Sequence, residues 1–125
     1  MKQAVCILLR KSDKILGVAR RHDHNDFGLS GGKVDDTDAD PEDAIVRELQ
    51  EETGLKVDRN SLIWAFDMVC KGGKDGIDYH SITYTADTWQ GKHTQGDAGP
   101  VQWVTKEQLL AGSFGDYNRE LFKNL

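Results

Sequence analysis

Asp40-Pro41 and Gly54 bracket one amphipathic helix, and no other segment of the 125-residue chain leaves its neighbours so little freedom. Asp40 supplies an N-cap carboxylate, and Pro41 fits the first helical position, where its missing N–H costs nothing. Gly54 fits a left-handed C-cap that ends the helix. With Glu48 as the zero of a helical projection, Glu51 falls at about −60° and Glu52 at about +40°. Ile45, Leu49 and Val46 fall at about 60°, 100° and 160°. Three carboxylates therefore share one stripe, beside an apolar stripe that can anchor the helix. Ala44, at about −40°, lies one turn before Glu48, where a small side chain leaves room above the acids. Arg47 precedes Glu51 by four residues, a spacing at which a cation can orient a carboxylate.

The charge of this region is unusual. Residues 35–52 hold nine acids and a single base, Arg47, so the segment carries −8 of a chain whose net charge is −5, leaving +3 on the remainder. Like charges four residues apart destabilise a helix by roughly 0.2–0.5 kcal/mol. Acids in the C-terminal half also oppose the helix dipole, by roughly 0.3–1 kcal/mol each. A solvated helix would gain by carrying lysines there. A hard divalent cation, Mg²⁺ or Mn²⁺, reverses the sign, because clustered carboxylate oxygens suit such ions. Taken alone, R-E-x-x-E-E is ordinarily a solvated charged face.

The rest of the chain reads as one domain, residues 1–125, with no repeat, linker or composition break. Hydrophobic residues make up 38% of it, enough for a core without disulfide or metal staples. The acidic balance argues against a general grip on polymeric nucleic acid. No apolar run approaches the ~20 residues that span a bilayer, which argues against a membrane protein. The N-terminal MKQAVCILLR lacks a small-residue cleavage site and reads as a strand, not a signal peptide. Cys6 and Cys70, on apolar segments, read as buried thiols of a cytoplasmic protein. Strands are expected over 3–10, 14–20, 61–70, 78–89 and 101–104, with a Ser12-Asp13 hairpin turn and loop chemistry over 22–33. Thr105 caps a short helix, KEQLLA, and a last helix begins near Asp116. Mixed elements with hairpins give an α+β chain, or an α/β/α sandwich on a mixed β-sheet.

The segment GGKVDDTDADPEDAIVRELQEETGL resembles the signature of the Nudix hydrolases, G-x5-E-x7-R-E-U-x-E-E-x-G-U with U a bulky aliphatic residue. Arg47, Glu48, Leu49, Glu51, Glu52, Gly54 and Leu55 match every fixed position of the second half. The first half departs. Counted from Gly32, the first signature Glu falls on Asp38; counted back from Arg47, it falls on Ala39. The loop thus holds one extra residue, with Asp38 as a shortened substitute for an acid that in the family mainly supports the loop.

This resemblance implies the Nudix fold and Mg²⁺- or Mn²⁺-dependent cleavage of a nucleoside diphosphate linked to another group. It implies that Glu48, Glu51 and Glu52 are metal ligands, together with the Gly31 carbonyl. Lys33 would face substrate phosphate, and Arg47 would orient a carboxylate. In the family a further acid often lies about six residues before a Trp. Asp97 precedes Trp103 by six and would be an extra ligand or general base; its alternative is a turn Asp before Ala-Gly-Pro. The short chain resembles MutT-type pyrophosphohydrolases, which convert nucleoside triphosphates, oxidised purine forms included, to nucleoside monophosphate and pyrophosphate. In that group an Asn four residues after a Phe can hydrogen-bond the base; Phe114 and Asn118 have that spacing, although Asn118 also suits the start of the last helix. Arg20 or Arg21, ending the second strand, is a further candidate for phosphate. The four histidines show no zinc spacing. Trp64, Trp89 and Trp103 read as core or edge packing residues, with the lining of a base pocket as the alternative for one of them. The expected partner is a nucleotide substrate, and the expected assembly a monomer or homodimer. The competing readings are a Nudix hydrolase of nucleotide sugars or dinucleoside polyphosphates, and a nucleotide sensor without catalysis. Three intact carboxylates argue against the sensor.

Overall fold

A computed structural model describes residues 1–72, 75–92 and 99–125. Among the described residues eight strands form two sheets. In the first, β1 (Lys2–Leu8) lies between β5 (Ser30–Lys33) and β7 (Tyr79–Thr85), with β6 (Ile63–Cys70) on the far side of β7. β1 and β7 are parallel, whereas the β1/β5 and β6/β7 pairs are antiparallel, so the sheet is mixed. In the second sheet β3 (Lys14–Arg20) pairs with β2 (Arg10–Lys11), β4 (Asp23–Gly28) and β8 (Val101–Val104), all antiparallel. The described residues also hold three helices, α1 (Pro41–Thr53), α2 (Lys106–Ala111) and α3 (Gly115–Lys123), and one 3-10 turn over Arg59–Ser61.

Strand alternation divides the core into two layers. Val5 and Ile7 of β1, with Leu16 and Val18 of β3, join Ala44, Ile45 and Leu49 of α1. On the opposite side, Leu8 of β1 and Ile15 and Ala19 of β3 join Leu109 of α2 and Leu121 of α3. The sheets are thus covered on both faces by helices, the α/β/α arrangement expected. Ile45 and Leu49 are fully buried. Each contributes about 1.5–3 kcal/mol, more than the repulsion between neighbouring acids removes, so the apolar stripe decides that α1 forms.

The helix ends follow the sequence closely. Asp40 has extended backbone and its side chain accepts from the Asp43 N–H; Gly54 adopts φ 79° and its N–H returns to the Gln50 carbonyl. Thr105 and Gln108 form a reciprocal capping box at α2. Ala44 differs from expectation: it is buried in the core and is not a gap above the acids. Residues 22–33 are not a loop but supply β4 and β5. Polar β4 forms because β3 offers it a ladder, and β5 because β1 does. The first strand ends at Leu8, and Arg10–Lys11 crosses into the second sheet as β2. Cys6 and Cys70 are free thiols, each only partly buried.

Candidate active site on helix α1 and strand β5

The site is a meeting of two periodicities. β5 is an outer strand, paired with β1 on one side only. Ser30 faces Ile7 and Gly32 faces Val5 across the ladder, so Ser30 and Gly32 point to the side that α1 covers. Two residues of strand advance ~6.7 Å, close to the ~6 Å of four helical residues. Glu52 and Glu48, four apart, therefore meet Ser30 and Gly32, two apart. The Ser30 hydroxyl donates to Glu52 Oε1 at 2.7 Å. At Gly32 a Cβ would stand 2.5 Å from the Glu48 carboxylate, so only glycine lets that carboxylate lie across the strand.

The intervening residues turn the other way. The Val34 N–H donates to the Gln3 carbonyl at 3.0 Å, which sets the alternation of the ladder. Gly31 and Lys33 then direct their peptide groups away from β1, toward the open edge. The Gly31 N–H donates to Glu52 Oε1 at 2.8 Å, and the Lys33 carbonyl accepts from Arg47 at 3.3 Å. Gly31, whose carbonyl shares that edge, is the residue expected to add a backbone oxygen to the three carboxylates.

Arg47 is the hub. Its Nε and one terminal nitrogen donate to both Asp38 oxygens at 3.0 and 2.9 Å, a two-pronged pair of the strong kind. Its other terminal nitrogen donates to Glu48 at 3.0 Å and Glu51 at 3.2 Å, and Asp35 lies 3.4 Å away. Asp38 also accepts from the Asp35 N–H at 2.8 Å. Thus Asp38 both supports the lengthened loop and holds Arg47, despite its shorter side chain. Hydrogen bonds from Arg47 hold the Asp38 carboxyl below its usual range.

Electrostatics at the acids run the opposite way. Burial pushes the Glu52 carboxyl up to about 7, against the lowering by Ser30 and Gly31. Burial likewise raises Glu48, with Arg47 opposing. Glu51 is 57% exposed. One guanidinium thus serves Asp35, Asp38, Glu48 and Glu51, while among the described residues Glu52 has only neutral donors. The donor set, carboxylate oxygens short of positive charge, fits a hard divalent ion. Among the described residues no three such side chains converge on a point, since Glu48 and Glu51 are drawn to Arg47 and Glu52 to β5.

The other expected residues are dispersed. Lys33 Nζ lies 3.4 Å from Asp75 and over the Tyr79 ring, and Lys33 lines a groove of about 970 Å³. Arg20 lies 3.9 Å from Asp26 and packs over Phe114, at the end of β3. Arg21 is exposed beside it. Asn118 is 2% exposed, and its amide donates to the Leu109 carbonyl at 3.3 Å, inside the α2–α3 pair. Asp97 lies outside the described residues. Ser30 was not among the residues singled out from sequence. Its signal was its place two before Gly32, which only becomes meaningful once 30–33 is known to be a strand.

The family model for the NUDIX domain matches residues 1–125. Solved structures share the architecture. A MutT Nudix hydrolase from Burkholderia pseudomallei aligns with TM-score 0.79 at 19% identity, over 99% of this chain and 97% of that one. A MutT protein from Bacillus halodurans aligns with TM-score 0.76 at 19% identity, over 98% and 80%. The E. coli ORF135 protein aligns with TM-score 0.74 at 22% identity, over 98% and 89%. No curated protein matches the chain in sequence. The chain belongs to the Nudix family. It is accordingly a hydrolase acting on phosphoric anhydride bonds, in a family whose enzymes take small nucleotide substrates and generally use divalent metals. Among the described residues no helix is long and apolar enough to cross a membrane.

Proposed function

We propose that the chain is a Mg²⁺- or Mn²⁺-dependent pyrophosphohydrolase of nucleoside triphosphates, oxidised purine forms included. Water attacks one phosphorus, the adjoining P–O bond breaks, and nucleoside monophosphate and pyrophosphate leave. The observation that carries this reading is the stripe of Glu48, Glu51 and Glu52 on α1, in which Glu52 is held on β5 by neutral donors while Glu48 and Glu51 share the guanidinium of Arg47. Such a stripe destabilises an unliganded helix and has no evident use in packing.

When bound, a divalent ion neutralises phosphate charge and eases removal of a proton from water. Glu48, Glu51 and Glu52, with the Gly31 carbonyl, would hold it. Arg47 fixes the directions of Glu48 and Glu51, and Asp38 fixes Arg47. Lys33 exchanges Asp75 for a substrate phosphate; Arg20 and Arg21 stand at the β3 end as further phosphate contacts. Asp97 adds a ligand or a base. Asn118, expected from its spacing to read the base, is turned into the α2–α3 pair with its amide on the Leu109 carbonyl and is given a packing role instead. The MutT names of several structural neighbours support the triphosphate reading.

A panel of nucleoside triphosphates, nucleotide sugars and dinucleoside polyphosphates, assayed with Mg²⁺ or Mn²⁺ and separate detection of phosphate and pyrophosphate, tests this. Pyrophosphate release from a triphosphate is expected. Turnover of a nucleotide sugar alone would overturn the triphosphate reading. Nucleotide binding without turnover of any substrate would overturn the catalytic one.

A further inference from the structure

The two strand positions that meet the acids of α1 differ in one respect: Gly32 is bare beneath Glu48, whereas Ser30 carries a hydroxyl aimed at Glu52. Ser30 is fully buried. Its hydroxyl and the Gly31 N–H converge on the same oxygen, Oε1, at 2.7 and 2.8 Å. Among the described residues no hydrogen bond reaches Glu52 Oε2. Two donors from adjacent residues, one side chain and one backbone, fix both the direction and the rotation of the carboxylate, which one donor alone cannot do. Glu48 and Glu51 have a different arrangement, since both share one terminal nitrogen of Arg47.

We propose that Ser30 is a positioning residue that clamps Glu52 Oε1 and thereby presents Oε2 to the cation. The inference rests on the reading of Glu52 as a metal-holding carboxylate. Outer partners of this kind, which orient a ligand without touching the ion, typically change metal affinity by about 10–100-fold when removed. Ser30 stands outside the fixed positions of the signature motif, so the clamp belongs to this chain's own sequence and not to the matched pattern.

The test is a titration of Mn²⁺ against nucleotide-free protein, reading free Mn²⁺ by electron paramagnetic resonance. Ser30→Ala is expected to weaken Mn²⁺ binding about tenfold, and Ser30→Gly, which copies the bare position at Gly32, to do the same. Ser30→Thr, which keeps the hydroxyl, should recover most of the affinity. In a Glu52→Gln background Ser30→Ala should add less than about twofold, because residues acting through one another are not additive. Wild-type affinity in both hydroxyl-free variants would overturn the clamp and leave the metal reading standing. Equal losses in the two backgrounds would overturn it too, since Ser30 would then act through something other than Glu52. Loss of the fold in both variants, seen by circular dichroism, would make Ser30 structural and also overturn it. A wild-type chain that binds no Mn²⁺ would overturn the metal reading and this inference together.

Discussion

Helix α1 carries acids at both ends, and the two ends obey opposite rules. At the N-terminus Asp40 caps the helix, Glu42 and Asp43 lie in its first turn, and Arg59 pairs with both Asp40 and Asp43. Each charge there agrees with the helix dipole, and Asp40 and Asp43 share a cation. At the C-terminal half Glu48, Glu51 and Glu52 oppose the dipole, no basic residue occupies the last turn, and Arg47 is divided among several acids. The first group stabilises the helix; the second is a cost that packing of Ile45 and Leu49 absorbs. A sequence of acids is therefore not one feature: its meaning depends on which end of the dipole it occupies and how many cations it shares.

The largest effect expected from this contrast is on turnover. Glu52→Gln should leave the fold intact and reduce hydrolysis by well over the ~10–100-fold typical of outer partners, and Glu51→Gln should do likewise. Steady-state rates with circular dichroism check both; near-normal activity in either would remove that residue from the site. Next comes stabilisation by metal. Mg²⁺ at 100 times its dissociation constant should raise stability by about 2.7 kcal/mol, a shift of several degrees in melting temperature. Glu48→Gln should shrink that shift, whereas Asp40→Asn should not.

The pH dependence of the metal-free protein should have a different sign at each end. Glu52 binds its proton more tightly folded, at about 7, than in an ordinary carboxyl near 4.5. Its contribution to stability is present below pH 4.5 and is lost as pH rises toward 7. Asp40, held down to about 2 from 3.8 chiefly by Arg59, contributes above pH 3.8 and loses that contribution as pH falls toward 2. Melting curves with a chelator present, from pH 2 to 8, should show both limbs, and Glu52→Gln should flatten the upper one alone. The smallest effect is at Arg59. Arg59→Ala should change turnover by less than about twofold and lower the melting temperature only slightly, as exposed ion pairs do.

Much of this was legible in advance because local chemistry decided it. Asp40, Pro41 and Gly54 act on their own neighbours, and so do Thr105 and Gln108, so the bounds of α1 and α2 follow from short stretches. β4 and β5 were not legible. Their residues, DHNDFG and SGGK, have poor strand propensity, and they become strands only because β3 and β1 offer ladders distant in the sequence. That failure hid Ser30, since alternation assigns it to the α1 side only after the strand is known. The place of Asp38 as substitute for the first signature acid was legible by counting, but its two-oxygen pairing with Arg47 was not. The inward amide of Asn118 and the Asp75 partner of Lys33 depend on contacts that no spacing encodes.

The open flank of β5 has a consequence for how the protein fails. Exposed strand flanks invite pairing with other chains. Here Glu52 and Arg47 occupy the Gly31 N–H and the Lys33 carbonyl, so the reactive helix also shields the sheet from aggregation. Glutamine at position 52 keeps an acceptor for that N–H, whereas alanine would strip it bare. Loss of chemistry and loss of solubility are thus separable at one residue, by the choice of what replaces it.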